Sequence, residues 1–168
     1  MTAPNSHLLI RKATQHDILI IQDIAYKTWP SAYGNILTPE SLNYMLGFFY
    51  SEVALQEQMQ KKQDFFIAEI NNEPIGFASI SKYDNEKYKL NKLYVLPTVQ
   101  KTGAGKALMD HVIELIKSYN ATQLILNVNR NNPAQYFYQK LGFTILKEED
   151  VDLGNGVLQE DYVMMKKL

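Results

Sequence analysis

The residues best suited to chemistry in this chain are a pair of glycines set between a strand and a helix. Leu93-Tyr94-Val95-Leu96-Pro97 is followed by Gln100-Lys101-Thr102-Gly103-Ala104-Gly105-Lys106, which leads directly into an amphipathic helical stretch. Glycines at 103 and 105 carry no Cβ to block a ligand, so successive backbone N–H groups can point outward at the helix start, where the dipole favours anions. Such a turn can cradle a phosphate, and Lys101 and Lys106 flank it with positive charge. The same glycines could simply close a tight strand-to-helix turn, and spacing alone does not choose between the two. Two nucleotide-binding patterns fit poorly. A P-loop needs a glycine where Gln100 stands and a Ser or Thr where Ala107 stands, and without that hydroxyl there is no magnesium ligand. A dinucleotide fingerprint needs a further glycine at Leu108 and belongs to the first strand of its domain.

Other reactive side chains lack the company that their chemistry requires. His7, His16 and His111 show no metal-ligand spacing with one another or with carboxylates, so no metal site is expected. No Ser or His sits in a nucleophile-elbow context. The cysteine count is zero, which excludes a disulfide scaffold, a Cys-based zinc site, an iron-sulfur cluster and a cysteine nucleophile. With 17 basic and 18 acidic residues and no basic stripe, nucleic-acid binding is not expected.

The elements that must hold the glycine turn follow from periodicity. The chain has 168 residues, 46% hydrophobic and 21% charged, and no linker, repeat or low-complexity tract, so residues 1–168 read as one domain. Met1 to Lys12 has no basic stretch followed by an apolar core, and no run approaches a membrane span, so a cytoplasmic protein without membrane contact is expected. Leu8 to Arg11 suits a first strand. Thr14 with Asp17 caps a helix whose buried face is Ile18, Ile21, Ile24, Ala25 and Thr28 and which is expected to end near Trp29-Pro30. Helices are predicted over Thr38 to Phe49 and from Ser51 to about Lys62. Strands Phe65 to Ile70 and Ile75 to Tyr83 form a hairpin across Asn71 to Pro74, and a third strand, Tyr88 to Leu96, ends at Pro97. Then come a helix from Gly105 to Tyr119, a strand from Leu124 to Val128, a helix begun by Asn132-Pro133 and stopped at Gly142, and a last hairpin across Asn155-Gly156. This order predicts a mixed α/β fold, its sheet covered on both faces.

Two motifs in that frame resemble the GNAT superfamily of acyl-CoA-dependent N-acyltransferases. One is the strand Leu93 to Pro97 with the loop Gln100 to Gly105; the other is the helix ending Phe137-Tyr138-Gln139-Lys140-Leu141-Gly142-Phe143. The resemblance covers residues 65 to 168 well and the first 60 more weakly. Its nearest flavour is that of the bacterial polyamine and diamine N-acetyltransferases, from the Leu-Tyr-Val-Leu-Pro strand and the Asp161-Tyr162-Val163-Met164 ending. It implies a GNAT-like fold, with a mixed, mostly antiparallel central sheet of about six or seven strands.

What the resemblance implies for chemistry is an acetyl transfer from acetyl-CoA to a primary amine, of a small polyamine-like molecule or a peptide N-terminus, by direct attack. The main chain of Leu93, Tyr94 and Val95 would hold the pantetheine. Gln100, Lys101, Thr102, Gly103, Ala104, Gly105 and Lys106 would hold the pyrophosphate, and Asn131, preferred over its neighbour Asn132, would join the cofactor site. Tyr138 maps to the family's tyrosine that protonates the departing thiolate, although helical periodicity alone also suits it to the core, with its hydroxyl bonded. The family's common carboxylate base has no counterpart: Lys89 occupies that position, and Glu86 or Asp84 acting through water is the fallback, so no base is assigned. Six acids between Glu148 and Asp161, with Trp29, Tyr33 and Tyr44, suggest a pocket for a cationic amine, or else a solvated hairpin and ordinary core aromatics. Homodimers are common in the family. The rival reading is a non-catalytic CoA-binding sensor of the same fold.

Overall fold

A computed structural model describes residues 7–168; the expectation for the start of the chain falls in part on residues 1–6, outside the described residues. Strand β1 (Leu8–Lys12) leads to a helical turn at Gln15–Asp17. Helices α1 (Ile18–Tyr33), α2 (Pro39–Tyr50) and α3 (Glu52–Gln60) precede strands β2 (Asp64–Ile70), β3 (Glu73–Lys82) and β4 (Lys87–Val95). Helix α4 (Ala104–Ser118), strand β5 (Gln123–Asn129), helix α5 (Ala134–Lys140) and the hairpin β6 (Thr144–Gly154) and β7 (Val157–Lys167) complete it. The strands make one sheet in the order β1-β2-β3-β4-β5-β7-β6. Only the β4–β5 pair is parallel, because α4 crosses over between them. The mixed, mostly antiparallel sheet expected from the sequence is the one observed.

Side-chain alternation divides the core in two. Helices α1–α3 bury Ile21, Ile24, Trp29, Leu46, Tyr50 and Leu55 against Phe65, Ile67 and Phe77 on one face. The other face receives Leu108, Met109, Val112 and Ile116 of α4, packed on Phe66, Ala78, Leu124 and Leu126 with Tyr138 of α5. At roughly 1.5–3 kcal/mol for each large apolar side chain taken out of water, these two layers set the sheet's register.

Local signals hold where they are short-range. The Thr14 hydroxyl accepts from His16 N, and Asp17 accepts from Thr14 N, closing the capping box. Asn155 and Gly156 both lie at positive φ in the β6–β7 turn. Most boundaries shift by one or two residues, and two of the differences have a clear physical cause. Helix α1 runs through Pro30 to Tyr33, with Gly34 N donating to the Pro30 carbonyl at 3.0 Å. The proline removes one N–H, but Trp29 is buried against Tyr33, Phe49, Tyr50 and Tyr94, and that packing carries the helix past the missing bond. The β2–β3 loop is also tighter than the predicted Asn71–Pro74 turn. Ile70 pairs with Glu73 across Asn71 and Asn72 alone, both at positive φ, so Glu73 and Pro74 belong to β3.

Candidate active site

The site originates in a defect of the sheet. Opposite β3, Ser79 faces Lys92 and Ile80 faces Leu90, which leaves Asn91 as an extra residue on β4. Such a bulge bends its strand. The parallel pairing with β5 stops at the same point, after four pairs from Lys87↔Gln123 to Leu90↔Leu126. Beyond it β4 stays on β3 as far as Val95, and β5 stays on β7 as far as Asn129↔Asp161, so the two halves of the sheet diverge. Leu96 N donates to Ile75 O at 2.8 Å. By alternation the main chain of Tyr94 then pairs with Phe77, whereas that of Leu93 and Val95 faces the opening. Leu93 therefore turns both its peptide groups to the opening and Val95 its N–H, the Val95 carbonyl being taken by Gln100, and Tyr94 brings a side chain.

Next to the opening, Gln100 Nε2 donates to Val95 O at 3.3 Å, and Thr102 Oγ1 donates to Val99 O at 2.7 Å. Lys101 (φ 70) and Gly103 (φ 84) turn the chain into α4, and Gly103 is its cap, with no side chain to satisfy the helix. The first intrahelical bond runs from Ala107 N to Gly103 O at 2.9 Å, so the amides of Gly103, Ala104, Gly105 and Lys106 lie ahead of any helical acceptor. The two glycines differ in what they permit. A Cβ on Gly103 would meet nothing within 4 Å, while one on Gly105 would lie 3.6 Å from Phe137 Cζ and 3.9 Å from Val95 Cγ2. A Cβ at 105 would thus sit at ordinary contact distance, so packing does not demand a glycine there, whereas Gly103 supplies the left-handed turn. Lys101 is exposed, and Lys106 pairs with Asp110 at 2.7 Å in an exposed ion pair.

A cavity of about 1150 Å³ extends from this opening toward α1–α3. Leu93, Tyr94, Val95, Gln100 and Tyr138 line it; Lys101 to Lys106 lie outside it, at its end. Asn131 is exposed and does not reach the cavity. Its neighbour Asn132 does: it is buried, and its Oδ1 accepts from Ala134 N at the start of α5. Of the two asparagines, then, Asn132 is the one that borders the cavity.

Tyr138 is buried and its hydroxyl has no hydrogen-bond partner among the described residues, unlike the bonded core tyrosine that helical periodicity allowed. Burial holds it protonated, far above its ordinary range. Tyr33 of α1 and Tyr94 of β4 bring their hydroxyls within 2.8 Å of each other, both raised by burial. Trp29 and Tyr33 line the cavity as anticipated, whereas Tyr44 donates to Leu153 O at 2.6 Å and ties α2 to the last hairpin.

Two side chains with no clear sequence signal dominate its electrostatics. Lys92 is 7% exposed, forms no ion pair among the described residues, and lies 5.3 and 5.1 Å from the ring centroids of Phe49 and Tyr50. Desolvation, with the nearby charge of Lys89, brings it down to about 7. Asp161 is 1% exposed, accepts from Asn127 Nδ2 at 3.2 Å, and is raised by desolvation to about 6. Of the other five acids of the hairpin, Glu149 and Asp152 line the cavity, while Asp150 and Glu160 pair with Arg130 at 2.8 and 3.8 Å. Among the described residues no cluster of His, Asp or Glu could hold a metal, and no helix is long and apolar enough to cross a membrane.

The peptide edges and the glycine-capped helix suit a ligand that joins an amide-bearing chain to a diphosphate. Comparison with known proteins agrees. The family model for the acetyltransferase (GNAT) domain matches residues 37–166. An uncharacterized N-acetyltransferase of Mycobacterium tuberculosis is 31% identical over 147 residues, 86% of this chain and 94% of that protein. The spermidine N(1)-acetyltransferase of Thermoplasma acidophilum is 26% identical over 159 residues, 91% of this chain and 96% of that protein. The crystal structure of the PaiA N-acetyltransferase of Thermoplasma acidophilum in complex with coenzyme A superposes with a TM-score of 0.81 at 26% identity, covering 96% of this chain and 99% of that one.

Proposed function

Since the chain belongs to the GNAT family of acetyl-CoA-dependent N-acetyltransferases, we propose that it moves the acetyl group to a primary amine of a small, polyamine-like molecule by direct attack, as one domain over residues 1–168. The observation that carries this reading is the β4–β5 opening, where free peptide groups, an unpartnered tyrosine hydroxyl and a buried carboxylate share one cavity. The main chain of Leu93 and Val95 takes the pantetheine as a ladder takes a further strand, with the Tyr94 side chain beside it. The amides of Gly103 to Lys106 take the diphosphate, with Lys101 free to add charge and Gln100 and Thr102 bracing the loop. Asn132, rather than Asn131, borders the cofactor within the cavity.

The amine nitrogen attacks the thioester carbonyl, the C–N bond forms and the C–S bond breaks. Tyr138 gives its proton to the leaving sulfur and regains one from the nitrogen as the amide forms. The buried Asp161 and the cavity-lining Glu149 and Asp152 favour a cationic acceptor, and the spermidine-acetylating relative supports a polyamine-like one. Thiol release from acetyl-CoA on addition of spermidine, diamines, lysine and a free-N-terminus peptide tests the proposal. Spermidine or a diamine is expected to be fastest, and silence with every amine refutes transfer. Tyr138→Phe is expected to slow release about 10²-fold with acetyl-CoA binding retained; unchanged turnover removes Tyr138 from the mechanism.

A further inference from the structure

The acceptor amine reaches the site as an ammonium at neutral pH and must lose a proton before it can attack. We propose that Asp161 is the group that takes that proton. The inference rests on the transferase reading above and names a catalytic residue for it.

Three observations converge on this residue. Only two acids are buried among the described residues, Asp17 and Asp161. Asp17 is held by Arg11 at 2.9 Å away from the cavity, whereas Asp161 lines the cavity and has no salt-bridge partner among the described residues. Its single side-chain hydrogen bond, from Asn127, engages Oδ2 and leaves Oδ1 with no partner among the described residues. A buried carboxylate without a cation is costly, and a fold that keeps one facing a cavity has room for a cation to arrive there. Its place in the sheet is also apt. Asp161 pairs with Asn129 at the far end of the β5–β7 ladder, on the β5 side of the opening. Tyr33 is near enough to feel its charge, and the Tyr33 hydroxyl reaches that of Tyr94 on the opposite, β4 side. The acid Tyr138 and the base Asp161 thus line one cavity with the two tyrosine hydroxyls between the halves of the sheet.

The charges around it are mixed. Lys89 of β4 and Arg130 after β5 favour the carboxylate, Glu149 of β6 opposes it, and desolvation outweighs them all. Arg130 spends one nitrogen on the main-chain oxygen of Asp161 and another on Asp150. In the step itself, an N–H bond of the ammonium breaks, its proton goes to a carboxylate oxygen, and the freed electron pair attacks the thioester. Asp161 releases the proton to water after the product leaves, while Tyr138 exchanges its own with sulfur and nitrogen as above.

The test is a pH profile of thiol release with acetyl-CoA and spermidine, or the fastest amine of the panel, for wild type and Asp161→Asn. Wild-type kcat/KM should fall on the acid side with a midpoint near 6. Asp161→Asn should lose about 10²- to 10⁴-fold at pH 7, bind acetyl-CoA normally, and recover toward wild type near pH 10, where the amine is already neutral. Asp161→Glu should keep the acid limb at a reduced rate. The ligand-free protein gives a second readout. Because folding raises the carboxyl above its ordinary value, its contribution to stability declines as pH rises from about 4 through 6. Asp161→Asn should therefore raise the melting temperature more at pH 7.5 than at pH 4.5. A rate loss equal at every pH, a change confined to KM, or a melting temperature lowered equally at both pH values overturns the assignment and leaves the transferase standing. A wild type that releases no thiol overturns both.

Discussion

Lys92 offers the sharpest quantitative test of how the cavity is built, and the perturbation is Lys92→Met. The ammonium lies under two rings with no carboxylate, and burial with the charge of Lys89 lowers it from 10.5 to about 7. The unfolded chain holds this proton up to 10.5, while the folded one sheds it near 7. Folding is therefore penalised in full below pH 7, and the penalty fades as pH rises from 7 to 10.5. At about 1.4 kcal/mol per pH unit the ceiling is roughly 5 kcal/mol, and the two ring faces return about 1–2 kcal/mol of it to the charged form. Methionine fills nearly the same volume without a charge, so Lys92→Met should stabilise the protein by about 3–4 kcal/mol below pH 7. The gain should vanish near pH 10.5. Urea unfolding at pH 6.5, 8.5 and 10 measures it. A gain that does not change with pH, or a loss at pH 7, would falsify the claim that Lys92 is buried without an anion.

The remaining predictions concern the loop and the N-terminal ion pairs. Gly103→Val forces a β-branched residue to φ 84 with no clash to relieve it; it should cost about 1–2 kcal/mol of stability and remove most of the melting-temperature rise that acetyl-CoA gives wild type, and an intact rise would clear this loop of the diphosphate. Gly105→Val should act otherwise, since its Cβ would meet Phe137 and Val95 only at ordinary contact distance, so the ligand-free melting temperature should change little; a large drop refutes that reading of the contact. Arg11→Met strips the buried Asp17 and the half-buried Glu69 of a shared guanidinium held at 2.8–2.9 Å, and because Arg11 is 40% exposed on its side chain the loss should be about 1–3 kcal/mol at pH 7. Arg11 keeps the Asp17 carboxyl below its ordinary value, so this stabilisation is present above about pH 4 and is lost as pH falls further; urea unfolding at pH 7 and 3 should show the deficit shrinking, and an equal deficit at both would assign it to packing.

Features written in adjacent residues were legible in the sequence, and features made by distant ones were not. Thr14 with Asp17, Thr38 before Pro39, Ser51 and Asn155-Gly156 announce themselves, because capping and turn chemistry act within three or four residues. The glycine turn at 103 was readable for the same reason. Pro30 was misleading, since a local helix breaker was overruled by aromatic packing from α2 and β4. The bulge at Asn91 leaves no local mark, and by shifting β4 one residue it moves Lys92 and Tyr94 together onto the α1–α3 face, where plain alternation would have kept both with Leu90 on the α4 face. Asp161 was one acid among six in the last hairpin, and only its pairing with Asn129, inside the sheet, separates it from the solvated ones. Asn131 and Asn132 differ by one position, and only the turn into α5, where Asn132 Oδ1 accepts from Ala134 N, shows which of them borders the cavity.

A sheet bound together along one short seam has a mechanical character of its own. Four strands on one side and three on the other are stitched directly by only four residue pairs. An intruding strand from another protein finds this inner rim flanked by paired neighbours and by helices above and below, unlike the outer edges at β1 and β6. Whatever lies between the two leaves clasps both at once, and its grip is felt across the whole molecule.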